Sequence, residues 1–72
     1  MKKKNKIKIK LNGKLIMIDN EFTLYKLLTK FKVPLKKVAI ERNGVIANKN
    51  SLNKVKILNN DKIEVVHFIG GG

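Results

Sequence analysis

A chain of 72 residues forms a single domain, near the lower size limit at which a hydrophobic core alone stabilises a fold. The absence of cysteine excludes disulfides and thiolate metal sites, and one histidine with five carboxylates offers little for any metal site. The basic N-terminus is followed by no apolar stretch long enough for a secretory signal or a membrane span. We therefore expect a soluble cytoplasmic protein, with a plastid stroma as the alternative compartment.

The formal net charge of +12 raises nucleic-acid binding as an alternative function. Sixteen of the 17 basic residues are lysines, however, and they are scattered through every segment. Only Arg42 offers the guanidinium that base readout favours, and the four aromatic residues do not form a stacking pattern. We predict a solvated basic surface, no specific nucleic-acid partner and no membrane partner, and keep a small basic nucleic-acid-binding module as an alternative.

The N-terminal third has the pattern of a β-hairpin. Residues 6–11, KIKIKL, alternate lysine with isoleucine or leucine, which is the period of a half-buried strand. The dipeptide Asn12-Gly13 then favours a tight turn, because both residues tolerate positive φ. Residues 14–18, KLIMI, return as a second strand, with Ile16 and Ile18 on one face and Leu15 and Met17 on the other.

A period of 3.6 follows the hairpin and predicts a helix. Its apolar stripe stands at i, i+3, i+4 and i+7 and consists of Leu24, Leu27, Leu28 and Phe31. Thr23 is a suitable N-cap, because its hydroxyl can accept a hydrogen bond from a free amide of the first turn. We expect the helix to end near Lys32, since Pro34 disfavours helical geometry at Val33.

Strand signals return in the second half of the chain. Residues 38–44, VAIERNG, predict a third strand that points Val38 and Ile40 inward and ends at the turn Asn43-Gly44. The next stretch is polar and irregular, with one short strand at 45–46 and a turn near Ser51. Asn60 accepts the left-handed conformation that the following turn requires, and residues 63–68 form the last strand.

This order, β-β-α-β followed by an irregular connection and a last strand, indicates a mixed α+β fold. The first and last strands can lie parallel at the centre of the sheet, with the helix across one face. We therefore predict a β-grasp domain over residues 1–72, with a mixed sheet of four to five strands and one main helix. Residues 1–6 are expected to fray.

Three segments carry a resemblance to a known family: IEVVHFIGGG at 63–72, LNGK at 11–14 and VAIERNG at 38–44. Together they resemble the ThiS-type sulfur carriers of thiamin biosynthesis, which are ubiquitin-like β-grasp proteins, and the likeness covers nearly the whole chain. The glycine tail is the most specific part. The turn LNND departs from the Asp-Gly-Asp of many members, and the basic extension at 1–6 is not required by the family.

The resemblance implies a protein carrier without its own catalytic site or bound cofactor. In such carriers an E1-like adenylyltransferase of the ThiF type uses ATP to adenylate the terminal carboxylate, here that of Gly72. A sulfur donor enzyme then supplies the sulfur that replaces AMP, and the resulting thiocarboxylate serves a ThiG-type thiazole synthase. Gly70 and Gly71 form the flexible tail, and a side chain at Gly71 or Gly72 would block entry into a narrow partner channel. The small subunit of molybdopterin synthase is the alternative carrier.

Strand parity predicts where partners bind. If Ile63 and Val65 point inward, Val66 and Phe68 point outward and form an apolar partner interface with Leu15 and Met17. We also assign Ile69 to this interface. The alternative is a wrapped sheet that covers these residues. We interpret His67 as a structural or interface residue, because no nucleophile or carboxylate is placed beside it. The five carboxylates show no paired spacing, and we expect them to be solvated.

Overall fold

The computed structural model describes residues 5–68 as one five-stranded mixed sheet with an α-helix packed on it. The strands are β1 (Lys6–Leu11), β2 (Lys14–Asp19), β3 (Val38–Arg42), β4 (Val45–Ile46) and β5 (Lys62–His67); α1 spans Leu24–Lys30, and two 3₁₀ helices span Leu35–Lys37 and Lys49–Lys54. The strand order is β2-β1-β5-β3-β4, with β1 and β5 parallel and the other neighbours antiparallel. The predicted β-grasp layout is confirmed, including the short strand at 45–46.

Both predicted Asn-Gly turns are present. Asn12 and Gly13 have φ angles of 51° and 80°, and Asn43 and Gly44 have φ angles of 53° and 84°. Two consecutive residues with positive φ match the type I′ turn, whose twist suits the strands of a hairpin. Asn60 also takes a positive φ of 73°, as expected for its turn.

The hydrophobic core lies between α1 and the inner face of the sheet. The helix contributes Leu24, Leu27 and Leu28, and the Thr23 hydroxyl caps it by accepting a hydrogen bond from the Lys26 N–H at 3.1 Å. Strand parity places the remaining sheet residues as predicted. The buried hydrophobic residues are Ile9, Ile18, Phe22, Leu24, Leu27, Leu28, Val38, Ile40, Leu52, Ile57 and Ile63.

The prediction that Phe31 belongs to the buried stripe is wrong, because its side chain is 46% exposed. The helix ends one residue earlier, and Phe31 is its C-cap with non-helical dihedrals. Lys32 then takes a φ of 58°, and the N–H groups of Lys32 and Val33 donate to the carbonyls of Thr29 and Leu28 at 3.0 Å each. These two bonds form a Schellman motif, which ends the helix at Lys30. Phe31 therefore lies outside the helix and does not join the buried apolar stripe.

The polar stretch after β4, for which the sequence predicts irregular structure, contains two buried residues that the sequence pattern did not identify. Leu52 in the second 3₁₀ helix is packed into the core beside α1, and Ile57 is fully buried. The Asn48 side chain caps this 3₁₀ helix by accepting a hydrogen bond from the Asn50 N–H at 2.8 Å. The predicted turn near Ser51 is therefore part of a longer 3₁₀ helix, Lys49–Lys54.

Residues 1–6 are predicted to fray, and the structure describes two of them, Asn5 and Lys6. Both form contacts with residues at the end of β2. The Asn20 N–H donates to the Asn5 carbonyl at 3.0 Å. Lys6 is the first residue of β1, and its Nζ lies 3.1 Å from the Asp19 carboxylate. The sheet thus begins at the last residue of that segment.

Lys32 occupies the position of the Schellman motif where glycine is usual, so its Cβ strains the left-handed backbone. We expect Lys32→Gly to raise the free energy of unfolding by about 0.5–1 kcal/mol. Urea unfolding followed by far-UV circular dichroism measures this change. Lys32→Ala is the matched control, because it removes the same charge but keeps the Cβ; equal stabilities for the two variants would contradict the strain at this position.

Candidate functional site

The strand that leads to the glycine tail, β5, is held at the centre of the sheet, and Asn12 extends its pairing beyond the end of β1. The Asn12 N–H donates to the Ile63 carbonyl at 2.9 Å. The Asn12 Oδ1 accepts from the Val65 N–H at 2.7 Å, and its Nδ2 donates to the Val65 carbonyl at 3.4 Å. The side chain therefore replaces the next backbone residue of β1 and fixes β5 further toward the tail.

Asn43 likewise fixes the start of β5 through hydrogen bonds to the Lys62 backbone, and it also donates to the Asp61 carboxylate. Its N–H donates to the Lys62 carbonyl at 2.7 Å, and its Oδ1 accepts from the Lys62 N–H at 2.8 Å. Its Nδ2 donates to Asp61 Oδ1 at 3.0 Å. Asp61 Oδ2 accepts from Arg42 Nε at 2.9 Å and from the Leu58 N–H at 2.8 Å. This cluster joins β3, the turn before β5 and β5 itself.

The expectation that all carboxylates are solvated is wrong for Asp61, which is only 5% exposed. Burial alone would raise the pKa of Asp61, but hydrogen bonds from the Leu58 N–H, Asn43 and Arg42, together with the Arg42 charge, hold it below its usual value. Arg42 is thus committed to a structural ion pair, although its guanidinium is the one group that the sequence offers for base readout.

The four described residues of the predicted partner interface point outward, as expected. Val66 and Phe68 are 50% and 48% exposed, and Leu15 and Met17 are 59% and 60% exposed, so the sheet does not cover them. Ile69 and the glycines Gly70, Gly71 and Gly72 lie outside the described residues. Their assignment as interface, tail and reacting terminus stays a prediction.

The outward residues fall into two separate groups. Leu15 and Met17 on β2 lie opposite Lys10 and Lys8 of β1, and Lys10 is the partner of Lys62 in β5. Val66 follows Lys62 by four residues, or about 13 Å along the strand. The lysines of β1 therefore separate the apolar pair on β2 from the pair at the end of β5.

Phe68 is the last residue that the structure describes before the tail. Its N–H donates to the Lys37 carbonyl at 3.0 Å, which continues the pairing of β5 with β3 by one residue. The Lys49 Nζ lies 5.1 Å from the centre of its ring, within range of a cation–π contact. The start of the tail is thus fixed by contacts from two other segments.

The remaining features of residues 5–68 concern metal ligands, membrane spans, His67 and cavities. No three His, Asp or Glu side chains lie close enough to hold a metal ion in this part of the chain, and no helix there is long and apolar enough to cross a membrane. His67 is an exposed residue of β5 opposite Val38. A depression of about 440 Å³ beside β4 includes Arg42, Ser51 and Val55 in its lining, but none of the predicted site residues.

A mixed sheet with a parallel first and last strand, a helix across one face and a central strand leading into three glycines defines a β-grasp protein of the ubiquitin-like class. Comparison with known families gives a match to the ThiS family over residues 6–72. Because the match spans nearly the whole sequence, this chain belongs to the ThiS family.

Individual relatives agree with that family. The sulfur carrier protein ThiS of Bacillus subtilis is 37% identical over 65 residues, which cover 89% of this chain and 98% of the Bacillus protein. The crystal structure of ThiS from Geobacter metallireducens matches with a TM-score of 0.81 and 26% identity, covering 92% of this chain and all of that one. A thiazole synthase of Magnetococcus marinus is 41% identical over 66 residues, which cover 92% of this chain but only 20% of the synthase.

The lowered pKa of Asp61 makes folding depend on pH. A carboxylate whose folded-state pKa lies below its unfolded value near 3.8 adds stability above that value, and this contribution is lost as the pH falls through the folded-state pKa. We expect Asp61→Asn to cost about 2–3 kcal/mol at neutral pH, because Arg42 loses its charge partner. The variant should also lose less further stability than the parent below about pH 4.

Urea unfolding of both proteins at neutral pH and near pH 3 measures this difference. Glu21→Gln is the matched control, since it removes one carboxylate charge from an exposed position and should behave like the parent. Equal acid sensitivity of the parent and Asp61→Asn would show that the cluster does not depend on the charge of Asp61.

Proposed function

We propose that this protein is the sulfur carrier of thiamin biosynthesis and that the carboxylate of Gly72 is its reacting group. That carboxylate attacks the α-phosphate of ATP in a ThiF-type enzyme, which forms the acyl-adenylate and releases pyrophosphate. Hydrosulfide supplied by a donor enzyme then attacks the acyl carbon and forms a carbon–sulfur bond as the bond to AMP breaks, and loss of a proton leaves the thiocarboxylate. The resulting thiocarboxylate donates its sulfur to thiazole synthase, so the carrier is a co-substrate and supplies no catalytic group.

The membership of the ThiS family is the observation that carries this proposal, and the geometry of β5 supports it. A carrier must deliver one atom to a fixed point in a partner, so the base of its tail has to be rigidly placed. Here Asn12, Asn43 and the Lys37 carbonyl hold β5 and Phe68 in position. Four residues follow Phe68 and extend at most about 14 Å beyond it.

Thiazole synthase is favoured as the acceptor by the chains that contain a similar region. In the synthases of Magnetococcus marinus and Paramagnetospirillum magneticum, a region that resembles this protein over 66 residues makes up 20% of a longer chain. Covalent linkage holds two interacting units at high effective concentration, and separate chains use the same contacts at the cost of association. This arrangement favours thiamin biosynthesis over molybdopterin synthase as the destination of the sulfur.

The tail gives the first test. Deleting Gly72 leaves a glycine carboxylate but retracts it by roughly 3.5 Å, and a misplacement of about 1 Å can cost on the order of a hundredfold in rate. Adding one alanine after Gly72 should be equally damaging, because the reacting carboxylate then belongs to a residue with a side chain. We expect both variants to lose ATP–pyrophosphate exchange with the ThiF-type enzyme and to gain no sulfur by intact-mass analysis.

Both changes lie beyond the described sheet, so the two variants should unfold like the parent. This control separates failure of the chemistry from failure of the fold. Normal adenylation and sulfur loading of both variants would rule out Gly72 as the reacting terminus.

Phe68 gives the second test, because it lies at the base of the tail and half of its side chain is free to contact a partner. We expect Phe68→Asp to weaken binding to the ThiF-type enzyme or to thiazole synthase on the order of tenfold. Titration calorimetry measures the affinity. Phe31→Asp is the matched control, since Phe31 is equally exposed but lies at the end of α1; loss of cooperative unfolding in Phe68→Asp would instead assign Phe68 a structural role.

A further inference from the structure

Three lysines form a cluster on the sheet face that points away from α1. Lys10 of β1 and Lys62 of β5 are direct partners in the parallel pairing, and Lys8 precedes Lys10 by two residues on the same face. They line a depression of about 290 Å³ together with Leu15 and Asn60. We call Lys8, Lys10 and Lys62 the lysine cluster.

Within residues 5–68 the lysine cluster forms no ion pair, although Lys62 lines a second depression together with Glu41 and Glu64. Over residues 5–68 the ion pairs are Lys6 with Asp19 and Arg42 with Asp61, and neither involves the cluster. Like charges on directly opposite residues destabilise a sheet. A ligand that brings negative charge to this face would therefore relieve repulsion that the isolated protein retains.

An acidic pair adjoins the lysine cluster on the same face. Glu64 follows Lys62 by two residues in β5 and lies opposite Glu41 of β3. Both glutamates are partly exposed. The sheet face thus presents a basic area and an acidic area side by side, with the apolar pair Leu15 and Met17 at the basic edge.

This pattern fits a folded protein better than a nucleic acid. A nucleic-acid backbone binds along a continuous basic groove, commonly with aromatic side chains on which bases stack. Here Glu41 and Glu64 interrupt the basic surface, and the side chains flanking the lysines on β2 are aliphatic or thioether groups. A protein surface, in contrast, can match a basic and an acidic area at once and bury the apolar pair.

We propose that the lysine cluster docks on an acidic strip of the carrier's partner enzymes, and that the Glu41–Glu64 pair faces a basic group beside that strip. This inference rests on the proposed function and identifies the partner surface by its charge. Because opposite charges must meet at two neighbouring points, the pattern also fixes the orientation of the bound carrier. That orientation aims the tail at the partner's active site.

The lysine cluster lies far from Phe68, the last described residue before the tail, so its effect on binding can be measured separately from its effect on the reaction. Lys62 precedes Phe68 by six residues, or about 20 Å along the strand direction, and four residues follow Phe68 in the sequence up to the reacting carboxylate. Removing the cluster's charge should therefore raise the dissociation constant and KM and leave kcat unchanged, because the cluster touches none of the reacting atoms.

The test compares two triple variants of the full chain. In the first, Lys8, Lys10 and Lys62 are changed to Glu; in the second, Lys36, Lys54 and Lys56, which are exposed outside the lysine cluster, are changed to Glu. Both lower the net charge by six from +12, so overall charge is matched. The affinities for the purified ThiF-type enzyme and thiazole synthase are measured at low and high salt, with KM and kcat from ATP–pyrophosphate exchange.

We expect the first triple variant to bind at least one of the two enzymes on the order of tenfold more weakly than the second at low salt. The difference should shrink at high salt, where screening weakens contacts between exposed charges, and kcat should stay at the parent value. Equal affinities of the two triple variants, while the parent is bound and adenylated, would overturn the docking assignment and leave the proposed function intact.

Two other outcomes also contradict the proposal in distinguishable ways. If the parent is not adenylated and binds neither enzyme, the proposed function fails and the docking assignment fails with it. If the first triple variant alone loses affinity for a single-stranded RNA or DNA oligonucleotide while enzyme binding is unchanged, the lysine cluster is a nucleic-acid site. Circular dichroism and urea unfolding verify that both triple variants are folded.

Discussion

The insertion of β5 between β1 and β3 is the constraint on which the rest of the structure depends. β5 pairs in parallel with a strand more than 50 residues earlier and antiparallel with β3, and its Ile63 is fully buried in the core. Ile63 completes the inner face of the sheet between the β1–β2 hairpin and the β3–β4 hairpin. Such long-range pairing costs loop-closure entropy before it adds stability. The contacts of Asn12, Asn43 and Asp61 hold β5 in place and so help to offset this cost.

Local sequence signals predicted most of the fold because the relevant interactions are themselves local. The period of two in β1 and β2, the two Asn-Gly turns and the Thr23 cap each involve residues close in sequence. Phe31 shows the limit of this approach. Its spacing fits the apolar stripe, but the positive φ of Lys32 ends the helix first, and a lysine gives no sequence signal for that conformation.

The candidate site was predicted in part, for a similar reason. Strand parity predicted that Val66 and Phe68 are exposed, and the glycine tail indicated the family. The burial of Asp61 was missed because it depends on Arg42 and Asn43, which lie 18 or 19 residues away. The lysine cluster was likewise not found, since Lys62 meets Lys10 only through the pairing of the first and last strands, although the KIKIK repeat does predict lysines on one face.

The parallel pairing of β1 and β5 also determines where the two ends of the sheet lie. Lys6 precedes Lys10 by four residues, Phe68 follows Lys62 by six, and Lys10 and Lys62 are partners. The entry of the chain into the sheet and its exit therefore lie about 33 Å apart along the strand direction. Anything joined ahead of β1, such as an affinity tag, a surface linker or a fluorophore, attaches to the sheet at the end opposite the tail. The protein can thus be immobilised through this end, at the opposite end of the sheet from Phe68.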